Sequence, residues 1–211
     1  MRYALFLIVF IIAGCEAETF THENVTSTVF WIGEAASEEN QHISNVESVW
    51  DDEWLQNYGG IDNPNKRSGF FPEFVPLENP FYIALPYNDM DKSGKQKQSA
   101  YEIPWVQEKT WRPYESMLKN HWVKLKKGDK IAFAQWEDVG PFWEDDYAYV
   151  FGKHSPKNTL NSNVGIDVSP AVRDYLELSD IDKVDWEFID ERDVPEGPWK
   201  IIVTRSQINW K

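Results

Sequence analysis

Apolar and polar side chains alternate most regularly just before the middle of the C-terminal half. Ile131, Phe133 and Gln135 project to one side of a strand, and Ala132, Ala134, Trp136 and Asp138 to the other, because successive strand side chains point to opposite faces. His121–Leu125 precedes it, and the turn Lys126-Lys127-Gly128-Asp129 joins the two as a β-hairpin. The strand ends at Val139-Gly140-Pro141, where proline has no N–H to give a ladder. A second short apolar run, Val164–Val168, carries Asp167. Ser169-Pro170 then predicts a helix start, with serine as N-cap and proline at the first helical position. Ala171, Val172, Tyr175 and Leu176 form its apolar stripe. One acid therefore stands at a strand end and another just before a helix.

Elsewhere the pattern is broken more often. Thr28–Gly33 is β-rich and predicts the first strand, preceded by a tether over residues 15–27. In Ile43–Tyr58, Val46, Val49, Trp50 and Trp54 fall near helical spacing, ended by Gly59-Gly60. Ile61–Glu78 is rich in Pro, Gly and Asn and predicts a long loop. Residues 34–78 thus read as an insertion after the first strand, and long ordered loops of this kind often carry function. Trp143–His154 reads as a further strand with Tyr147, Tyr149 and Phe151 on one face. Val184–Asp190 alternates as a strand, and Ile201–Thr204 predicts a last one.

The first 14 residues change the picture. Arg2 precedes an apolar run, Ala4–Ala13, too short to span a bilayer. It ends Ile12-Ala13-Gly14-Cys15, which resembles the lipobox of bacterial lipoproteins. That resemblance implies cleavage before Cys15, acylation of Cys15 and a membrane anchor. Glu16 follows rather than Asp, so the resemblance implies an outer-membrane or cell-surface address. Cys15 is the only cysteine, so the mature chain can form no internal disulfide.

Removing Arg2 with the leader leaves 20 basic against 35 acidic residues, net −15. Nucleic acid is excluded as a partner, because it needs a basic face. Docking on anionic lipid head groups is disfavoured for the same reason. A neutral or cationic partner fits. Aromatics make up 15% of the chain, with 11 Trp; indoles either fill cores or stack on flat apolar faces, including those of sugar rings.

The order Trp136-Glu137-Asp138-Val139-Gly140-Pro141-Phe142, then Gly165-Ile166-Asp167-Val168-Ser169 and a helix, resembles double-psi β-barrel proteins. The likeness is to the rare lipoprotein A group, to the 3D domain of MltA-type lytic transglycosylases and to expansins and family-45 endoglucanases. It covers about Phe81 to Ile189. It implies a mainly β fold: a six-stranded double-psi β-barrel over residues 28–211, with residues 34–78 inserted. Phe81–Asp89 resembles the barrel segment before "Leu-Pro" in rare lipoprotein A relatives, where Tyr82 stands at the place of a functionally implicated His.

The resemblance implies a polysaccharide such as peptidoglycan as the partner. Asp167 and Asp138 match the acids of the motifs, and glycosidic cleavage needs an acid to protonate the leaving oxygen. In this reading Trp136, Trp143 and Tyr82 form the substrate face, with Trp136 and Phe142 desolvating the carboxyls. The amino end of the helix after Ser169 would favour an ionised Asp167. Acid function would instead need a cover, and residues 34–78 are the segment long enough to supply it. A non-catalytic expansin-like binder or a structural envelope lipoprotein fits the same residues. No metal spacing or cofactor motif is present, so no cofactor is implied.

Overall fold

The computed structural model describes residues 20–38 and 40–207. The leader and the predicted lipidation site Cys15 lie outside the described residues. Strand β1 (His22–Val29) is followed by the insertion, which holds helix α1 (Trp54–Tyr58) and a small hairpin of β2 (Arg67–Ser68) and β3 (Phe71–Pro72). Then come β4 (Tyr82–Leu85), β5 (Trp122–Lys127) and β6 (Lys130–Val139). Helix α2 (Tyr147–Val150), β7 (Val164–Val168), helix α3 (Pro170–Leu176) and β8 (Ile181–Ile189) complete the order. Six strands close a barrel in the order β1-β7-β4-β6-β5-β8. Two contacts are parallel, β1 with β7 and β4 with β6; the other four are antiparallel. Closure leaves no edge among these six strands.

The barrel core is apolar and continuous. Ile83, Leu85, Val123, Leu125, Ala134, Trp136, Ile166, Val168 and Trp186 are all buried within it. A second cluster, Phe30, Ile32, Trp54, Tyr58, Tyr82 and Ala84, fastens the insertion to the barrel. Burial of polar groups there is compensated: the Tyr82 hydroxyl donates to Asp62 Oδ2 at 2.9 Å and accepts the Ile32 amide at 3.0 Å. Asp62 in turn pairs with Arg67. No helix among the described residues is long and apolar enough to cross a membrane.

Four elements differ from their expected form. The first strand begins at His22, inside the predicted tether, because Val25, Thr26 and Ser27 are buried where β7 and β8 pair with it. Only Trp54–Tyr58 of the Ile43–Tyr58 segment is helical. Ser48 and Asp51 side chains accept the Trp50 and Glu53 amides (3.2 and 2.9 Å), a local turn that competes with helix. Residues 147–150 are a helical turn rather than a strand, capped by Asp146, whose side chain accepts the Tyr149 amide. Ile201–Thr204 is not a strand; Gln135 instead takes both the amide and the carbonyl of Thr204 (2.9 and 3.1 Å).

Candidate functional site

Barrel register assembles the site. Ala84 on β4 is paired with Asp138 on β6 and with Asp167 on β7, and Asp167 is paired with Thr28 on β1. Paired residues share a face, so Thr28, Asp167, Ala84 and Asp138 form one row across four adjacent strands. The two aspartates flank β4, which sets their Cα atoms roughly 10 Å apart at ordinary strand spacing. Their side chains open into a cleft of about 740 Å³.

A bulge makes this row possible. Ile83 is paired with Trp136, but the next residue, Ala84, is paired with Asp138, so Glu137 has no opposite number on β4. In a regular strand Trp136 and Asp138 would share a face. The extra residue moves Asp138 onto Ala84's face and leaves Trp136 with Ile83 in the core, the re-aiming that bulges perform beside active sites. Trp136 is fully buried, and its indole N–H donates to the Asp138 carbonyl at 2.7 Å. The expected substrate-facing role of Trp136 is therefore corrected. Tyr82 is likewise fully buried, against Asp62 and Phe30, and presents no face to the cleft.

Trp143 stands at the cleft rim and is 48% exposed. The chain reaches it through a cis Gly140–Pro141 peptide and Phe142 at φ 61°. Gly140 is closely bounded: a Cβ there would lie 3.4 Å from Asp167 Oδ2 and 3.8 Å from the Ala84 Cβ. A side chain at this position would press on the Asp167 carboxyl.

The insertion forms the opposite wall. Glu34, Ile43, Asn45 and Val49 line the same cleft as Asp167. The Val49 amide donates to Asp138 Oδ1 at 2.9 Å, and Asn45 Nδ2 donates to Glu34 Oε2 at 2.8 Å. Neither Glu34 nor Thr28 was marked by sequence pattern. Thr28 sat on a predicted strand without a partner in view, and Glu34 lay in a segment whose fold depends on contacts remote in sequence.

Burial dominates the electrostatics. Desolvation pushes the Asp138 carboxyl up to about 7, against the lowering effect of the Val49 and Val139 amides. Desolvation also pushes Asp167 up to about 7; the Thr28 hydroxyl donates to its Oδ1 and lowers it, while the charges of Asp138 and Glu34 raise it. The expectation that the following helix keeps Asp167 ionised is overturned. That helix has only seven residues, and Ser169 Oγ already takes its Val172 amide. Glu34 is raised as well, chiefly by burial.

Two carboxyls that titrate near neutrality in one open cleft can exchange roles as proton donor and acceptor. Among the described residues, no three His, Cys, Asp or Glu side chains converge as metal ligands. A scan against models of known protein families finds no match, and a search of curated proteins finds none.

Proposed function

We propose that this chain is a cell-envelope lipoprotein whose double-psi-type barrel binds a polysaccharide such as peptidoglycan and cleaves it by acid–base chemistry. The observation that carries this reading is the Asp167–Ala84–Asp138 row, two desolvated carboxyls on either side of Ala84 in a cleft that the exposed Trp143 also lines. One carboxyl protonates the leaving glycosidic oxygen; the other, ionised, stabilises positive charge developing on the sugar or activates a nucleophile. Trp143 stacks a neighbouring ring and holds the chain across the pair. The barrel's two parallel strand contacts support the double-psi assignment. The Ile12-Ala13-Gly14-Cys15 segment supports a lipid anchor on Cys15, with Glu16 supporting an outer-membrane address.

A second reading is a non-catalytic, expansin-like binder. Tyr82 favours it, since that position carries a functional His in the relatives that the motif resembles and here holds a wholly buried phenol. Incubation with purified peptidoglycan and β-glucans, followed by mass analysis of the soluble fraction, separates the two. Anhydro-sugar ends identify a transglycosylase, and reducing ends a hydrolase. Co-sedimentation without cleavage identifies a binder. Neither cleavage nor co-sedimentation refutes both.

A further inference from the structure

The cleft that holds the acid pair is acidic, but a second cavity, of about 790 Å³, reverses the sign. It opens at the start of β1 and the entry to β7, whereas Asp167 lies toward the end of β7. Lys153, His154 and Lys183 line it, against one acid, Glu23. No hydrogen bond or ion pair among the described residues includes the Lys153 ammonium. Lys183 donates to the Thr26 hydroxyl at 2.6 Å, which uses one of the three donors of an ammonium. Ser155 and Asn163 add a hydroxyl and an amide whose side chains bond to no other described residue.

A buried, unpartnered side chain completes the lining. His22 is only 5% exposed. Its ring stacks on Trp186 at 3.8 Å and meets Tyr149 edge-on at 5.3 Å, so packing fixes its plane. Burial holds the imidazole down to about 4, against the raising effect of the Val150 carbonyl. A neutral imidazole donates from one nitrogen and accepts at the other. The Val150 carbonyl takes the N–H, and Nε2, which has no partner, is left as a buried acceptor. Native structures nearly always satisfy such a group, and what meets it must be a donor such as a hydroxyl. A hydroxyl for His22, an anion for the lysines and further hydroxyls for Ser155 and Asn163 together describe a charged sugar. Phe20 and Pro156 offer apolar surface to a ring face, and the volume lies within the ~300–1,000 Å³ usual for small-ligand sites. We infer that this cavity binds a sugar bearing a carboxylate or phosphate, with His22 Nε2 accepting a ring hydroxyl and Lys153 and Lys183 receiving the anion. The chain's net charge of −14 opposes anions at long range, but at ~0.15 M salt charges beyond ~8 Å are screened and the adjacent lysines decide. The site goes beyond the polysaccharide reading and shares no residue with the acid pair.

Titration of the full-length protein at ~0.15 M salt with glucuronate, a glucose phosphate, neutral glucose, acetate and inorganic phosphate tests this, read by calorimetry and by the imidazole nitrogen resonances of His22. At least one of the two anionic sugars is expected to bind at least about tenfold more tightly than glucose and than its matching bare anion. The one that does so identifies the anion, and its binding is expected to shift the His22 Nε2 resonance. Lys153→Gln combined with Lys183→Gln, both at exposed positions, is expected to bring that sugar within about threefold of glucose. His22→Phe keeps a ring against Trp186, removes the acceptor and is expected to weaken the sugar at least about fivefold. If His22→Phe fails to fold, the Nε2 resonance of the wild type gives the same test. The inference is overturned if neither anionic sugar exceeds glucose, if the bare anion binds as well as the sugar, if the double lysine variant leaves the affinity unchanged, or if Nε2 does not shift at saturation. Failure of this site leaves the acid-pair reading standing, since the peptidoglycan assay tests that reading independently.

Discussion

Asp138→Asn is the most direct probe of the strain held in the site. The substitution keeps the side-chain shape and the oxygen that accepts the Val49 amide, and it removes the charge. Burial raises the folded carboxyl from 3.8 to about 7, whereas the unfolded chain titrates near the ordinary value of ~3.9. Below pH ~4 the group is neutral in both states and burial costs nothing electrostatic. As pH rises from ~4 to ~7, the unfolded chain releases its proton before the folded protein does, so stability falls; above ~7 the loss is complete. A gap of about three pH units corresponds to an upper bound of ~4 kcal/mol. Water in the open cleft and coupling to Asp167 reduce the measured effect to ~1–3 kcal/mol. Thermal unfolding followed by circular dichroism reads it: Asp138→Asn should melt ~3–10 °C above wild type at pH ~8 and within ~2 °C of it at pH ~4.5. A variant that is less stable than wild type by the same amount at both pH values would refute the reasoning. It would mean that Asp138 is a hydrogen-bonded anchor for the insertion and not a carboxyl held at a cost to stability.

The two tryptophans should separate cleanly. Trp136→Ala opens the barrel core and should cost ~3–5 kcal/mol in urea unfolding. Trp143→Ala should stay within ~0.5 kcal/mol of wild type and weaken glycan co-sedimentation severalfold through loss of stacking. Lys119 Nζ lies 2.7 Å from Glu137 Oε2 with both side chains buried, so Lys119→Met should cost ~3–5 kcal/mol by stranding Glu137, and adding Glu137→Leu should recover most of it. Wild-type protein should partition with membranes while Cys15→Ser escapes lipoprotein processing, as fractionation and mass spectrometry of the two proteins would read out.

Local chemistry was legible in the sequence wherever neighbours along the chain settle the structure. The β5–β6 hairpin needs only alternation and a turn around Gly128, which holds φ 58°. Helix α3 needs only Ser169, Pro170 and an apolar stripe, and it forms where they predict. The mainly β fold was implied by the resemblance of the Trp136–Phe142 and Gly165–Ser169 motifs to barrel proteins, and the closed six-stranded barrel bears that out. Both aspartates were visible because each sits at the end of such an element.

Tertiary structure decided which way side chains face and what stands beside them. Alternation alone put Trp136 and Asp138 on one side of a strand. The unpaired Glu137 reverses that, and a bulge is defined by the register of a partner strand about 50 residues away, which no local pattern encodes. Thr28 met Asp167 only because β1 and β7, far apart in sequence, pair in parallel. Helix polarity suggested an ionised Asp167, whereas desolvation by the closed barrel, with the charges of Asp138 and Glu34, raises its carboxyl. Proximity to Glu34 likewise required the insertion to fold back over the barrel through Phe30, Trp54 and Tyr82. Sequence determined the β5–β6 hairpin, helix α3 and the acids; packing determined that two of those acids share one cleft.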